Sequence, residues 1–290
     1  MNPLARAVNG LRSRGECADM HIHTAASIDA INGNSFIDYM EAGEKAGVIP
    51  GFLDHFQAEH LAEEDYPFAP ANVNGYLESY DRARETGLRS FLGLEVDYYA
   101  PTQEEWNQQT VAFMDDHRDQ FDYFVGTVHD ILGNKITLRD ELERLLQQED
   151  FDQVVADYFT ILQAGIAARR FDGFAHLDVV YRFNGTGENA LLARRDEYLS
   201  DPRTWQAMAA CAWTGTAIEL NLRGFDHPWQ TTYPAEPAVT RFLQTFPGAI
   251  FFVGSDSHDV GTFERFAPLV RDYCGKLGSP VPDVIAAVDS

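Results

Sequence analysis

The sequence predicts an α/β fold, either a barrel or a doubly wound sheet of parallel strands. Short apolar runs alternate with longer amphipathic segments six or more times along the chain. Several of the short runs contain almost no polar residues, which is typical of parallel strands buried on both faces. Periodicity fits both architectures, so the choice depends on where the polar residues lie. In barrels, functional side chains lie at the C-terminal ends of the strands.

The predicted strands are short, and candidate helices separate them. The first strand, residues 19–23, reads Asp-Met-His-Ile-His and is the most polar. The other predicted strands are residues 48–53, 90–96, 123–128, 173–175, 217–222 and 249–253. Their length and apolar character match the buried strands of a parallel sheet.

The amphipathic segments predict helices, and some of them have recognisable ends. Ser35 can act as the N-cap of a helix that runs to Lys45 and is ended by Gly47. The other predicted helices are residues 72–86, 138–148, 151–169, 203–214, 236–246 and 262–277. Alternating with the strands, these helices complete the α/β pattern.

Length and charge limit the class of protein. The 290 residues contain no linker rich in Pro, Gly or Ser, and one large domain fits as well as two. The net charge of −23, from 22 Lys+Arg against 45 Asp+Glu, argues against binding nucleic acid or docking on an anionic membrane. It is compatible with a small phosphorylated metabolite, because one or two arginines and metal ions can hold such a partner.

The cysteines indicate a reducing environment. Cys17, Cys211 and Cys274 are far apart and form no CxxC pair, so a disulfide framework is not expected. The chain has no apolar run typical of a signal peptide near its start and no apolar stretch of about 20 residues that could span a membrane. We therefore expect a cytoplasmic protein, and the sequence does not indicate its oligomeric state.

Histidines and carboxylates follow most of the predicted strands. His21 and His23 share one face of the first strand, because alternate residues of a strand point to the same side. The other strand-end residues are Asp54-His55, Glu95, His129, His176, Asp256 and His258. A single histidine of this kind is often an ordinary buried core residue. Polar side chains converging from all these strand ends need a shared partner, and we expect it to be a metal ion.

Five ordered motifs carry a resemblance to a known family. They are Asp19-Met20-His21-Ile22-His23-Thr24, Leu53-Asp54-His55, Gly93-Leu94-Glu95-Val96-Asp97-Tyr98, Gly126-Thr127-Val128-His129 and Gly254-Ser255-Asp256-Ser257-His258. Together they resemble the PHP (polymerase and histidinol phosphatase) family, from about Asp19 to Phe266. Three further stretches resemble its stand-alone histidinol-phosphate phosphatases in particular. They are Gly173-Phe174-Ala175-His176-Leu177-Asp178, Ile218-Glu219-Leu220-Asn221 and Tyr233-Pro234.

The resemblance implies a distorted (β/α)7 TIM-like barrel with two or three divalent metal ions at the C-terminal ends of its strands. Residues 19–290 would form this single barrel domain, and residues 1–18 an N-terminal extension without a counterpart in the family. The family pattern implies three groups of metal ligands. They are His21, His23, Glu95 and Asp256 at one metal, Asp29, His55 and His258 at a second, and Glu95, His129 and His176 at a third.

The ligand types favour zinc, manganese or iron, since they mix imidazoles with carboxylates and include no thiolate. Two such ions can share a hydroxide that attacks phosphorus, and Glu95 is the expected bridging ligand. The leaving group needs a proton, which Asp256 or a nearby histidine such as His258 could supply. Three further acids, Asp19, Asp54 and Asp178, are expected to orient imidazoles or, alternatively, to cap helices.

Substrate contacts are expected from the loops after the strands. Arg182 is the first candidate for binding phosphate and Arg223 the second, since a guanidinium matches phosphate oxygens in pairs. His227, close to Arg223 in sequence, is a further candidate. The acidic segment 57–74, which includes Glu63 and Glu64, could face a cationic group of the substrate or could simply be a solvated loop.

These residues favour a metal-dependent phosphomonoesterase, with L-histidinol phosphate as the substrate that the resemblance implies and histidine biosynthesis as its pathway. An alternative is a related phosphatase acting on another small metabolite, such as a sugar or nucleotide phosphate. A nuclease of the same family is disfavoured by the charge. A metal-binding module without turnover is disfavoured because every ligand position holds a competent donor.

Overall fold

Seven parallel strands form the centre of the molecule. The computed structural model describes residues 2–30, 34–185, 187–188, 190–194 and 201–278. In these residues the strands are β1 (Ala18–Ile22), β2 (Ile49–Phe56), β3 (Phe91–Asp97), β4 (Tyr123–Thr127), β7 (Gly173–Phe174), β8 (Ala217–Asn221) and β9 (Phe251–Gly254). The intervening β5 (Asp130–Ile131) and β6 (Asn134–Lys135) form a separate antiparallel hairpin. The order of the sheet is β1-β2-β3-β4-β7-β8-β9, so each strand pairs with the next one along the chain.

Hydrogen bonds between the first strand and the residues after the last strand close this sheet into a barrel. The backbone N–H of Asp256 donates to the carbonyl of His21, and that of His23 donates to the carbonyl of Ser257, both at 2.9 Å. The barrel is irregular, because the register of β1 shifts between Asp19 and Ile22 and because β7 is only two residues long. The prediction of a distorted seven-stranded barrel is therefore confirmed.

Nine helices are described, and most connect successive strands. They are α1 (Pro3–Arg14), α2 (Phe36–Ala46), α3 (Val73–Arg84), α4 (Glu104–His117), α5 (Arg139–Leu145), α6 (Phe151–Ala168), α7 (Pro202–Thr214), α8 (Glu236–Thr245) and α9 (Val260–Gly278). Ser35 caps α2 in a reciprocal arrangement with Asp38, and Gly47 ends it, as predicted. The sequence did not predict α1, α4 or the β5–β6 hairpin.

Helix α1 covers the N-terminal end of the barrel. Its Leu4, Val8 and Leu11 are buried and join an apolar cluster with side chains of the strands, including Tyr123 and Phe252. Polar contacts at both ends hold it in place. The Asn2 amide donates to the carbonyls of Asp172 and Gly215, and Arg12 donates to the carbonyl of Phe251. Most of the predicted extension thus packs on the barrel, at the end opposite the histidine motifs.

Two apolar cores hold the barrel together. The larger lies mainly between the strands and the surrounding helices, and the smaller fills the barrel beneath the histidines. Tyr123 of β4 is fully buried in the smaller core and lies directly across the sheet from Gly93. A Cβ atom on Gly93 would lie 2.5 Å from Cε2 of Tyr123, so the ring fits only because residue 93 has no side chain.

No helix in the described part of the chain combines the length and the apolar composition needed to cross a lipid bilayer.

Candidate metal centre

The C-terminal end of the barrel brings the predicted ligands together. His21 and His23 lie at the end of β1, His55 in β2 and Glu95 in β3. His129, His176, Asp256 and His258 follow β4, β7 and β9, and Asp29 lies in the loop after β1. Because parallel strands end at the same rim, residues far apart in sequence meet there. Close side-chain contacts link all nine of the predicted ligand positions.

Glu95 lies at the centre of this group and is almost completely buried. Five imidazoles lie within 3.6 Å of its carboxylate oxygens, those of His21, His23, His55, His129 and His176. The closest contact joins Oε1 of Glu95 to Nε2 of His176 at 2.9 Å. Oε2 lies 3.1 Å from Nδ1 of His55 and 3.2 Å from Nε2 of His21. One carboxylate thus faces imidazoles from both sides, as a bridging ligand would.

The remaining two acids lie nearer the rim. Asp29 Oδ2 is 2.9 Å from Nε2 of His258 and 3.5 Å from Nε2 of His55. Asp256 Oδ1 is 3.3 Å from Nε2 of His23. Each acid therefore contacts imidazoles of the ligand group to which the family pattern assigned it.

In the described part of the chain, three sets of side chains have donor atoms close enough to hold an ion, with all atoms of a set within 4.8 Å of one another. They are His21, His23 and Asp256; His23, His55 and His258; and His55, Glu95 and His129. The first set matches three of the four ligands implied for the first metal. The other two sets differ from the groups that the family pattern implies, because His55 occurs in both of them. Its ring contacts Asp29 on one side and Glu95 on the other.

The charges of this cluster depend on one another. Burial, together with the neighbouring His258 and His55, lowers the pKa of His23 to about 3, so this ring is neutral and can offer a lone pair. Burial also opposes charge on Glu95, but the surrounding imidazoles outweigh it and hold the pKa of its carboxyl well below the usual range. Although burial opposes it, Glu219 and Glu95 raise the pKa of His21, and Glu95 raises that of His176, so a divalent ion that binds here would displace protons from these rings. A carboxylate surrounded by imidazoles is the mixed donor set that zinc and related divalent ions bind.

Several buried polar atoms in the cluster support this interpretation. Among the described residues, Oε1 of Glu95, Nδ1 of His55 and Nδ1 of His176 have no hydrogen-bond partner of acceptable geometry. Buried polar atoms are nearly always paired, so such atoms in one small region need another partner. The residues present therefore suit divalent metal ions.

Two carboxylates orient the histidines, and sequence reasoning missed both. Nδ1 of His21 donates to Oε1 of Glu219 at 2.6 Å, and Nδ1 of His129 donates to Oδ1 of Asp97 at 2.7 Å. A ring held in this way directs Nε2 at Glu95. Glu219 also accepts the backbone N–H of His176 at 2.8 Å, and so joins β8 to the segment after β7. Asp97 ends β3 and Glu219 lies within β8, and both belong to stretches that carry the family resemblance, which was the sequence signal available for them.

None of the three acids predicted to orient imidazoles contacts a ring directly, so the prediction is wrong for Asp19 and Asp178, and Asp54 acts on a ring only through another side chain. Asp19 accepts the backbone N–H of Ser255 at 2.9 Å. Asp54 accepts the backbone N–H of Thr24 at 2.6 Å and the Ser27 hydroxyl at 2.8 Å. It reaches a histidine only through Ser27, whose Oγ lies 3.0 Å from Nδ1 of His23.

Asp178 has a different environment from the one predicted. Oδ1 has no hydrogen-bond partner among the described residues, and burial raises the pKa of its carboxyl to about 7. No backbone N–H of the short 3-10 helix that follows, Val179–Tyr181, donates to this side chain. The alternative reading of Asp178 as a helix cap therefore does not hold either.

Arg182 faces the same region as the metal ligands. It lines a cavity of about 310 Å³ together with His129, His176, Asp256 and His258. Among the described residues its Nε has no hydrogen-bond partner, although it is buried. Burial lowers the pKa of Arg182, and the nearby Asp256 partly opposes this effect. A guanidinium with an unpaired N–H beside this cavity is suited to an anionic group.

Arg223 and His227 lie close to Arg182 but are already engaged. Arg223 contacts Asp226 at 3.1 Å, and Nδ1 of His227 lies 3.0 Å from the Tyr233 hydroxyl. Burial, followed by the charges of Arg182 and Arg223, lowers the pKa of His227 to about 3. Arg182 lines the 310 Å³ cavity, whereas Arg223 and His227 are not among the described residues that line it.

Lys135 also lines the cavity and was missed by sequence reasoning. It lies on β6, and its Nζ is 2.5 Å from Glu59 and 3.3 Å from Asp97. Glu63 and Glu64, the acids thought to face a cationic substrate group, are exposed, and Glu63 contacts His60 instead. Glu63 and Glu64 are not among the described residues that line the cavity, and their contact with a cationic substrate group stays a prediction.

Comparisons with known proteins agree with this architecture. The PHP domain family matches residues 19–221. A protein of Deinococcus radiodurans named "Probable histidinol-phosphatase" is 26% identical over 260 residues, which cover 88% of this chain and 91% of that protein. The crystal structure of histidinol phosphate phosphatase from Lactococcus lactis, complexed with zinc, L-histidinol and phosphate, superposes with a TM-score of 0.63. It is 18% identical, and the match covers 90% of this chain and 94% of that one. This chain belongs to the PHP domain family.

Proposed function

We propose that this protein is a metal-dependent phosphomonoesterase that hydrolyses L-histidinol phosphate to L-histidinol and phosphate. The observation that carries the proposal is the arrangement around Glu95, where imidazoles and acids from separate strands meet beside a cavity lined by Arg182. The family and the similarity to two histidinol phosphatases support the substrate class. We place the activity in the cytoplasm and in histidine biosynthesis.

The proposed cofactors are two or three divalent ions, either zinc, manganese or iron. The residues that would hold them are the nine ligand positions, His21, His23, Asp29, His55, Glu95, His129, His176, Asp256 and His258. When bound, such ions supply Lewis acidity for the attack of water on phosphorus. Glu219 and Asp97 fix the orientation of two of the imidazoles, which keeps the donor atoms in place before substrate arrives.

The protein side chains would position the phosphate ester and handle its leaving group. Arg182 would bind phosphoryl oxygens through its unpaired Nε–H, because its guanidinium already lies at the cavity. Arg223 would contribute through the positive charge that it brings close to Arg182, and His227, whose lowered pKa leaves its ring neutral, would contribute as a hydrogen-bonding group. Asp256 and His258 line the cavity, and we propose that the proton for the departing alkoxide comes from one of them.

A screen of phosphate release tests this proposal. Protein reconstituted with each of the three metals is assayed with histidinol phosphate, sugar phosphates, nucleotides and p-nitrophenyl phosphate. We expect histidinol phosphate to give the highest kcat/KM. If another metabolite is hydrolysed equally well, the protein is a phosphatase of different specificity. If none of the substrates is hydrolysed with any metal, the hydrolase proposal fails and a metal-binding role replaces it.

A further inference from the structure

Two of the three cysteines lie next to each other at the end of the barrel opposite the metal centre. Cys17 directly precedes β1, and its carbonyl accepts the backbone N–H of Ile49 at 2.9 Å. Cys274 lies near the end of α9, and its thiol donates to the carbonyl of Ala18 at 3.6 Å. The backbone of each cysteine is thus held by a strand or a helix, and the Cys274 sulfur points at the first residue after Cys17.

Both cysteines line one cavity of about 250 Å³. Its other walls include Leu11 and Arg12 of α1 and Met20 of β1. Both side chains are partly exposed, so a small reagent can reach them. Cys211, by contrast, is fully buried in α7, so a reagent that reaches the other two cysteines should not reach it in the folded protein.

The environment of Cys274 is set by burial and by its neighbour. Burial, followed by the adjacent Cys17, raises the pKa of the Cys274 thiol to about 12. Cys274 therefore remains a protonated donor in the resting protein. This agrees with its hydrogen bond to the carbonyl of Ala18, the residue that directly follows Cys17.

We propose that Cys17 and Cys274 form a dithiol site that exchanges with small organic disulfides and closes into an intramolecular disulfide. The site is separate from the metal centre, and the inference does not depend on the proposed hydrolase activity. The bond would link the start of β1 to α9, whose N-terminal end follows the loop that carries Asp256 and His258. It would therefore connect the first strand of the barrel with the helix that follows the last strand, next to the place where β1 and β9 close the barrel.

The exchange proceeds in two displacements. The thiolate of Cys17 attacks one sulfur of the small disulfide, breaks its S–S bond and expels one small thiolate. Cys274 then loses its proton to that thiolate and attacks the sulfur of Cys17, which breaks the mixed disulfide and expels the second small thiolate. This thiolate takes up a proton from water in place of the proton that Cys17 had released. The two cysteines lose two electrons, and the small disulfide is reduced to two small thiols.

The new bond should stabilise the folded chain. It joins residues near the two ends of the described chain, so it closes a very long loop in the unfolded state and removes much of its conformational freedom. In the native state, the backbone hydrogen bonds that join β1 to the residues after β9 are those donated by His23 and Asp256. We therefore expect the oxidised protein to melt at a higher temperature than the reduced protein.

Intact-mass measurement after treatment with 2-hydroxyethyl disulfide tests the proposal. The native protein should lose the mass of two hydrogen atoms, and peptide mapping should show Cys17 joined to Cys274. Cys211→Ser should react in the same way as the wild type. Cys17→Ser and Cys274→Ser should form no internal link, and any adduct on them should be a mixed disulfide. Far-UV circular dichroism checks that each variant is folded.

Several outcomes would overturn the inference. One is a native wild-type protein that keeps mixed disulfides on both cysteines, or that links only to a second molecule. Another is a link that forms only after denaturation. A linked protein that melts below the reduced protein would also contradict the inference, because it would mean that the folded barrel does not accommodate the bond. A reducing agent should restore the original mass and melting temperature.

Discussion

Oε1 of Glu219 occupies the space that a side chain on Gly254 would need. A Cβ atom on Gly254 would overlap with this oxygen and would lie 2.5 Å from Cβ of His21. The glycine at the end of β9 therefore lets the carboxylate of β8 pass between the strands and reach Nδ1 of His21. The orientation of a proposed metal ligand thus depends on a residue without a side chain on the neighbouring strand.

Replacing Glu219 by glutamine should weaken metal binding. The variant keeps the shape of the side chain but removes the negative charge that holds the Nδ1–H of His21, and losses of this kind cost about ten- to a hundredfold in metal affinity. Titration of metal-free protein with zinc in a calorimeter measures the effect. Glu44→Gln, at an exposed position on α2, is the matched control and should bind zinc as the wild type does. Equal affinities for Glu219→Gln and the wild type would show that Glu219 does not position the ligand.

Removing divalent ions should lower the thermal stability. An ion that binds only the folded chain stabilises it by about 2.7 kcal/mol at about 100 times its Kd, so a chelator should lower Tm by several degrees. Adding zinc back should restore Tm. In Glu95→Gln, which lacks the charge at the centre of the cluster, Tm should respond much less to chelation. A wild-type Tm that does not change with chelator would contradict metal binding at this site.

The positions of the proposed ligands could be predicted because strand order and strand ends are local features of the sequence. Each apolar run that ends in His55, Glu95, His129 or His176 is visible without knowledge of the fold. The partners of these ligands are not, because they depend on which strands become neighbours. Glu219 and His21 are separated by most of the chain and meet only after β9 closes the barrel beside β1.

The elements that sequence reasoning missed have weak local signals. The β5–β6 hairpin has two-residue strands, which are too short to show alternation, and so Lys135 was not connected to the site. Helix α1 buries only Leu4, Ala5, Val8 and Leu11, and its position is set by the barrel end that it covers. Asp19 and Asp178 resemble imidazole-orienting acids by position alone, and the folded chain directs them elsewhere.

Replacing Arg182 should reduce turnover of phosphate esters. Loss of a charge-assisted hydrogen bond costs about 1.5–3 kcal/mol, so Arg182→Ala should lower kcat/KM for histidinol phosphate by about ten- to a hundredfold. Steady-state kinetics and inhibition by inorganic phosphate measure the effect, and inhibition should weaken in parallel. Arg170→Ala, at an exposed residue that contacts Asp115, should leave both unchanged. If the two variants behave alike, Arg182 does not bind the phosphate.

A methyl group at position 93 should destabilise the barrel. In Gly93→Ala the new Cβ would lie 2.5 Å from Cε2 and 2.8 Å from the carbonyl oxygen of Tyr123, and overpacking of this kind costs about 1–3 kcal/mol. Denaturant unfolding measures the loss. Gly75→Ala is the control, because a Cβ there has no neighbour within 4 Å and alanine favours the helix α3. An unchanged free energy of unfolding for Gly93→Ala would mean that Tyr123 can move aside.

The ion pairs of Glu16 should stabilise the protein at neutral pH and lose this effect in acid. Hydrogen bonds from Arg89 and Arg14 lower the pKa of Glu16 to about 2, below its ordinary value of 4.5. A carboxyl with a depressed folded-state pKa contributes its full stabilisation above the unfolded pKa and loses it as the pH falls towards the folded pKa. Glu16→Gln should therefore be less stable than the wild type at about pH 7, and this difference should shrink progressively below about pH 4.5.

Urea unfolding of both proteins between about pH 7 and pH 3 measures this difference. Arg89 precedes β3 and Arg14 ends α1, so the two ion pairs of Glu16 hold the end of α1 against the barrel. We therefore expect α1 to unfold at a lower urea concentration than the rest of the chain when these pairs are lost. Glu44→Gln is again the control and should follow the wild type at every pH. A difference that stays constant with pH would show that Glu16 acts through packing rather than through its charge.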